Sequence, residues 1–184
     1  MIETFIQQTN MPAFMRALLI GRFQPFHNGH MEVVRYIISR YDAVIIGIGS
    51  AQYSHTISDP FTAGERHLMI SRTLEDAGIH NYYLVPIEDL HRNSIWVAHV
   101  ESIAPPFDVV FANNPLTKRL FYEKGYKIET PPFYDRSKYS GKEVRRRIIK
   151  GEPWEHLVPE AVAKTIKEID GIGRLRTLAQ SDDE

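Results

Sequence analysis

The residues with the greatest chemical potential stand together in Gly21-Arg22-Phe23-Gln24-Pro25-Phe26-His27-Asn28-Gly29-His30. Two histidines three residues apart flank Gly29, whose missing side chain lets the backbone pass close to a ligand while both imidazoles point to one side. Imidazole N–H groups and the Arg22 guanidinium are donors, so the stretch suits an anion, above all a phosphate. A second stretch, Tyr139-Ser140-Gly141-Lys142-Glu143-Val144-Arg145-Arg146-Arg147, has the same character. Ser140 is placed to cap a helix or to meet a phosphate. Val144 and Ile148, four apart, are expected to face a core, leaving Arg145 beside the buried stripe and able to reach a cleft. Arg146 and Arg147 read as solvated or subunit-contact charges, balanced by Glu143 and Glu152.

What must position these residues is legible in the alternation of apolar runs with helical periodicity. The aliphatic run at 17–20 predicts a buried strand, and His30, Val33, Val34, Ile37, Ile38 and Tyr41 then recur at helical spacing. Further strands are predicted at 43–48, 82–85, 108–111 and 126–128. Thr62 to Glu65 and Ser140 to Glu143 each have the form of a capping box, and Gly78 is expected to close the helix that Thr62 opens. A helix at 94–103 carries Trp96; Asn114-Pro115 starts a short helix ending at Gly125; and helices follow at 159–170 and 172–179. A loop rich in aromatic and charged residues spans 131–139. Five strands separated by helices predict an α/β fold, a doubly wound parallel sheet with helices on both faces and helices at its C-terminal end. Both anion-suited stretches then open helices at the carboxyl end of the sheet, where backbone amides and the dipole favour phosphate.

Composition narrows the function further. One domain at 15–180 fits the 184 residues, with 1–14 as an N-terminal extension and 181–184 as an acidic tail expected to fray. With 22 basic against 23 acidic residues, nothing attracts nucleic acid or an anionic membrane at long range, so an anion must be held by a local cluster. No cysteine is present, which excludes disulfides, thiolate nucleophiles and cysteine-ligated zinc. No apolar run approaches the ~20 residues that span a bilayer, and a cytoplasmic location is the simplest expectation.

The sequence resembles the nucleotidyltransferases marked by His-x-Gly-His, and within them the archaeal-type nicotinamide-nucleotide adenylyltransferases. Besides the two stretches above, the resemblance rests on Gly49-Ser50-Ala51-Gln52, Asp59 through Arg66, Asn93-Ser94-Ile95-Trp96-Val97, Pro105-Pro106-Phe107-Asp108 and Asn114-Pro115-Leu116. It implies a Rossmann-like fold and adenylyl transfer from ATP to nicotinamide mononucleotide (NMN), giving NAD and pyrophosphate, with Mg2+ carried mainly by the ATP phosphates. His27, His30, Arg145 and Arg22 would carry catalysis. Gly21, Phe23, Gly29, Asn114 and Ser140 would complete the ATP site. Trp96, Asn93, Asp89, Leu90 and Tyr139 would form the acceptor site, with the tryptophan stacked on the cationic ring. Periodicity alone reads Trp96 equally well as a core residue with Val97, Val100 and Ile103. The resemblance also implies a homo-oligomer, a hexamer. Lys142 replaces a common threonine, Asn113 a frequent glycine, and Ser58 a basic residue found in some relatives.

The nucleophile in such a reaction is already an anion, so no general base is needed, and the protein's task is positioning and charge stabilisation. Three other readings compete: transfer to a different phosphate acceptor, such as flavin mononucleotide, pantetheine phosphate or a polyol phosphate; a nucleotide sensor without turnover; and a nucleic-acid binder built on Arg145-Arg146-Arg147. Intact motif histidines weigh against the sensor, and near-neutral charge against the last.

Overall fold

The computed structural model describes residues 13–130 and 139–181. Residues 131–138 of the loop expected at 131–139, 1–12 of the extension expected at 1–14 and 182–184 of the tail expected at 181–184 lie outside them. Elements alternate in chain order: β1 Arg16–Gly21, α1 Asn28–Ile38, β2 Ala43–Ile48, α2 Ala63–Asp76, β3 Tyr82–Pro86, α3 Asn93–Ile103, β4 Val109–Ala112, α4 Pro115–Glu123 and β5 Lys127–Glu129. Then come α5 Gly141–Lys150, a short 3-10 turn Glu155–Leu157, α6 Glu160–Glu168 and α7 Gly171–Ser181. The five strands form one sheet in the order β3-β2-β1-β4-β5, every pair parallel. That is the doubly wound α/β arrangement expected.

Strand side chains alternate between two cores. Ala17, Leu19, Val44, Ile46, Val109 and Phe111 pack with buried residues of α1, α2, α5, α6 and α7. Leu18, Ile45, Val85 and Val110 face the other way, onto Val97 and Val100 of α3 and Phe121 of α4. This period of two, with both faces covered, is why the central strands read as unbroken apolar runs. Strand order reverses between β1 and β4, so a crevice opens beyond their carboxyl ends, where such sheets bind ligands.

Three local expectations need correction. The fourth strand begins at Val109, because Asp108 turns its carboxylate onto the Arg16 amide at 2.8 Å. The fifth begins at Lys127: the Tyr126 amide donates to Phe121 O at 3.1 Å and so completes the end of α4, while its ring stacks on Phe107. Finally, Ser140 caps α5 by accepting from the Glu143 amide at 3.2 Å, but no reciprocal box forms. The Glu143 carboxylate instead takes Arg146 Nε at 2.8 Å and Arg147 Nε at 2.7 Å, since two guanidiniums outcompete one neutral amide for it. The box at Thr62 forms with both bonds, at 2.9 and 3.2 Å.

Candidate active site

β1 ends in a tight turn that explains much of the first motif. A methyl group on Gly21 would stand 2.9 Å from the Phe23 ring, so only glycine fits there. Phe23 itself has φ +52°, a conformation that costs a bulky residue energy and is retained where surroundings over-determine it. Gln24 supplies part of that determination. Its buried side-chain amide donates to Phe61 O at 2.9 Å and accepts the Phe61 amide at 3.0 Å.

His27 and His30 cap α1 reciprocally. The His30 amide donates to His27 Nδ1 at 3.3 Å, and the His27 amide to His30 Nδ1 at 3.2 Å. Both Nδ1 atoms therefore act as acceptors, which puts the proton of each neutral ring on Nε2. The rings stack with centroids 3.5 Å apart, and Phe23 and Phe26 pack on His30. Burial pushes the His27 pKa down to about 4, its backbone hydrogen bond opposing this only in part. Burial, and then the neighbouring His27, hold His30 well below the ordinary histidine value. At neutral pH the motif offers two uncharged Nε2–H donors at a helix N-terminus, and the positive charge of the site comes from arginines.

The second motif folds against the first. Arg145 Nη1 donates to Gln24 O at 2.6 Å, and its Nε is buried with no protein partner. Desolvation, followed by the nearby charge of Arg22, lowers the Arg145 pKa. A methyl group on Gly141 would lie 2.7 Å from Gln24 O, and one on Gly29 would lie 3.0 Å from Tyr139 Cβ. The two motifs thus meet at two points, each at a glycine: Gly141 against the Gln24 backbone and Gly29 against the Tyr139 side chain. Val144 and Ile148 are buried in the core as their spacing predicted. Arg146 is held by Glu143 and Glu152, and Arg147 by Glu143 and Pro153 O, so neither extends as a free basic stripe.

A cavity of about 490 Å3 runs from this region across the ends of β1 and β4. Gly21, Arg22, Phe23 and His30 line one part, Asp89, Leu90, Asn93 and Trp96 another, and Asn113 and Asn114 stand between strand β4 and helix α4. His27, Gly29, Ser140 and Arg145 are not among its lining residues; His27 meets the cavity only through His30, on which it stacks. Tyr139 sits against Gly29, on the histidine side, rather than around Trp96. The Asn114 side-chain oxygen is committed to capping α4, accepting from the Leu116 and Thr117 amides. Trp96 is half-buried: its Nε1 donates to Glu88 O at 3.3 Å and its ring meets Phe121 edge to face, while Ile103, which periodicity grouped with it, is exposed. Among the described residues no group of three or more His, Asp or Glu side chains could hold a metal ion.

Sequence reasoning missed Arg66. Its side chain is fully buried, yet it has no carboxylate partner; it donates to the carbonyls of Arg22 at 2.8 Å, Gly49 at 2.7 Å, Ser50 at 3.2 Å and Thr62 at 3.2 Å. One guanidinium fixes the chain where it leaves both β1 and β2, and burial lowers its pKa to about 10. The signal was present: Arg66, Met69, Ile70, Thr73 and Leu74 form one buried stripe of α2, with an arginine in an apolar position. Asp59 was also missed. It pairs with the half-exposed Arg22 at 3.2 Å and accepts from Ser58 Oγ at 2.7 Å, so the serine that replaces a basic residue holds the partner of the remaining arginine. The loop carrying Asp59 and Phe61 is pinned from α7, where Arg174 donates to Pro60 O at 3.0 Å and grips the Glu65 carboxylate with two bonds of 2.7 Å.

A parallel sheet with anion-binding helix starts at its switch point defines a nucleotide-binding α/β domain, and residues 18–147 match the model of the Cytidylyltransferase-like family. A nicotinamide-nucleotide adenylyltransferase of Picrophilus torridus is 60% identical over 169 residues, covering 92% of this chain and 100% of that protein. The protein of the same name from Thermoplasma acidophilum is 59% identical, covering 92% and 94%. The one from Methanococcus maripaludis strain C5 is 54% identical, covering 91% and 98%. The chain belongs to the nicotinamide-nucleotide adenylyltransferase family. In fold it is similar to a bifunctional NMN adenylyltransferase/ADP ribose pyrophosphatase of Francisella tularensis crystallised with AMP and a manganese ion, with TM-score 0.74 and 22% identity; 92% of this chain matches about half, 53%, of that one. A putative nicotinate-nucleotide adenylyltransferase of Vibrio parahaemolyticus has TM-score 0.58 and 15% identity, covering 83% and 98%.

Proposed function

We propose that the protein transfers the adenylyl group of ATP to the 5'-phosphate of NMN, releasing pyrophosphate and forming NAD. A phosphate oxygen of NMN forms the new bond to the α-phosphorus as the bond to pyrophosphate breaks in line, with no covalent enzyme intermediate. Because the attacking oxygen is already anionic, the side chains bind and stabilise rather than remove a proton. The observation that supports this reading is the meeting of the two motifs, with Arg145 bonded to the Gln24 carbonyl and Gly29 against Tyr139, near a cavity that His30 lines and that continues to Trp96. His27 and His30 serve the triphosphate as Nε2–H donors, Arg145 and Arg22 as cations, and the amides of α1 and α5 add to them. Trp96 offers an aromatic face to the cationic ring. Mg2+ arrives as part of the substrate, MgATP, consistent with a site built from imidazoles and guanidiniums.

We assign the reaction to the cytoplasm and the active form to a homo-oligomer, hexameric by resemblance; no helix among the described residues is long and apolar enough to cross a membrane. Light scattering on the purified protein reads the assembly directly. ATP with NMN should yield NAD and pyrophosphate in equal amounts. Pyrophosphate appearing only with another mononucleotide would overturn the choice of acceptor, and nucleotide binding without any turnover would replace enzyme by sensor.

A further inference from the structure

A carboxylate is the least expected group beside a site suited to a triphosphate, because like charge opposes the ligand. Asp59 is such a group. Arg22 Nη1 donates to both of its oxygens, Oδ1 at 3.2 Å and Oδ2 at 3.3 Å. The partners differ in exposure: the Arg22 side chain is 55% exposed and lines the cavity, whereas that of Asp59 is 11% exposed and does not. The carboxylate is fixed from its own loop. Ser58 Oγ donates to Oδ2 at 2.7 Å, the Asp59 amide donates to Thr56 Oγ1 at 3.0 Å, and the Thr56 amide donates to Asp59 O at 3.3 Å. The next two residues are held as well, Pro60 by Arg174 and Phe61 by Gln24. The charge of Asp59 is also felt beyond Arg22. Burial, the larger effect, lowers the pKa of Arg145 and of Arg66, and Asp59 opposes that at both.

An ion pair with one partner this exposed adds little to fold stability, so stability alone does not account for it. Arg22 is a long side chain with many rotamers, and a cation that must be ordered at the moment of reaction stabilises a transition state poorly. Asp59 takes up one nitrogen of that cation; among the described residues Nη2 and Nε of Arg22 have no hydrogen-bond partner and stay available to a phosphate. We infer that Asp59 is a positioning residue for adenylyl transfer, fixing Arg22 for the charge that builds on the triphosphate in the transition state while its own charge weakens ATP binding in the ground state. The inference rests on the adenylyl-transfer reading above. Orientation and repulsion then act with opposite sign on turnover and on binding. A residue that only supported the fold would weaken both, and one that only repelled the ligand would slow nothing.

The test is a double-mutant cycle on Asp59→Asn and Arg22→Met, scored by kcat for NAD formation and by calorimetric affinity for MgATP without NMN and for inorganic tripolyphosphate. Asp59→Asn should lower kcat by ~10-fold or more and tighten both anions by about two- to fivefold. In the Arg22→Met background the same substitution should leave kcat within twofold, since the group through which it acts is gone. Ser58→Ala, which releases the carboxylate without removing its charge, should lower kcat by less and leave affinity unchanged. Thermal melting of each variant verifies folding, and Ser58→Ala, alone and with Arg22→Met, decides the matter if Asp59→Asn does not fold. A folded Asp59→Asn protein with kcat within twofold of wild type, one that binds ATP more weakly, or an equal loss of kcat with and without Arg22 overturns the inference. So does an unchanged kcat in Ser58→Ala where only that protein folds. Wild type that makes no NAD overturns the adenylyl-transfer reading and this inference with it, whereas an active wild type beside an unimpaired Asp59→Asn overturns the inference alone.

Discussion

Replacing Gly141 by alanine is the sharpest probe of the contact between the two motifs. The added methyl would sit 2.7 Å from Gln24 O, and roughly 0.5 Å or more of separation is needed to relieve that overlap. The carbonyl has little freedom to yield, since it accepts Arg145 Nη1 and its residue is held to Phe61 by two hydrogen bonds. Overpacking of this kind costs about 1–3 kcal/mol, and a chain of this size loses about 2–4 °C in Tm per kcal/mol. If the strain is released by moving α5 away, Arg145 recedes from the histidines, and a shift of half an ångström at reacting groups costs roughly tenfold in kcat/KM. Melting curves and initial rates of NAD formation read both effects. Gly64→Ala is the control: its nearest neighbour would be Thr62 Oγ1 at 4.0 Å, so it should leave the rate intact and hold or raise Tm. A Gly141→Ala protein with wild-type Tm and wild-type rate would refute the claim that backbone contact at Gln24 sets the geometry of the site.

Three further outcomes are expected. His30→Ala should lower kcat by ~10²–10³ while the protein stays folded; activity within a few fold of wild type would remove His30 from its assigned role. Because the folded-state pKa of His27 is depressed to about 4, the unfolded chain binds the extra proton first as pH falls. Stability should therefore be complete above about pH 6.5 and decline toward pH 4, by about 3 kcal/mol from this residue, and urea midpoints for His27→Gln should show a flatter dependence across that window. Arg66→Met should destabilise by at least ~3 kcal/mol, since it leaves four carbonyls without their common donor, that of Gly49 in a buried bond; a near-native melting temperature would show that water or neighbours replace the guanidinium.

The sheet was legible because both its faces are covered: buried parallel strands declare themselves as apolar runs, and each helix carries caps or a 3.6-residue stripe. Boundaries slipped where one polar group had a better partner elsewhere, as with Asp108 and Tyr126. At the site, His27, His30 and Arg145 were visible from residue type and from their place at helix beginnings. Arg66 could have been found from its apolar position on the α2 stripe, but Gln24 and Asp59 could not, because each acts through long-range contacts that sequence spacing does not encode: Gln24 meets Phe61, and Asp59 meets Arg22, each 37 residues apart. Gly141 read only as part of a cap, since its necessity comes from a backbone more than a hundred residues away.

The grip of Arg174 on Glu65 and Pro60 has a consequence for how the enzyme comes into being. Synthesis delivers the histidine pair early, but the segment that steadies Asp59, and through it Arg22, is fastened from the last helix. A nascent polypeptide can lay down most of its sheet and still lack a steadied Asp59–Arg22 pair at the candidate site. Competence to turn over nucleotides is thereby deferred until α7 has been made and has docked on that segment.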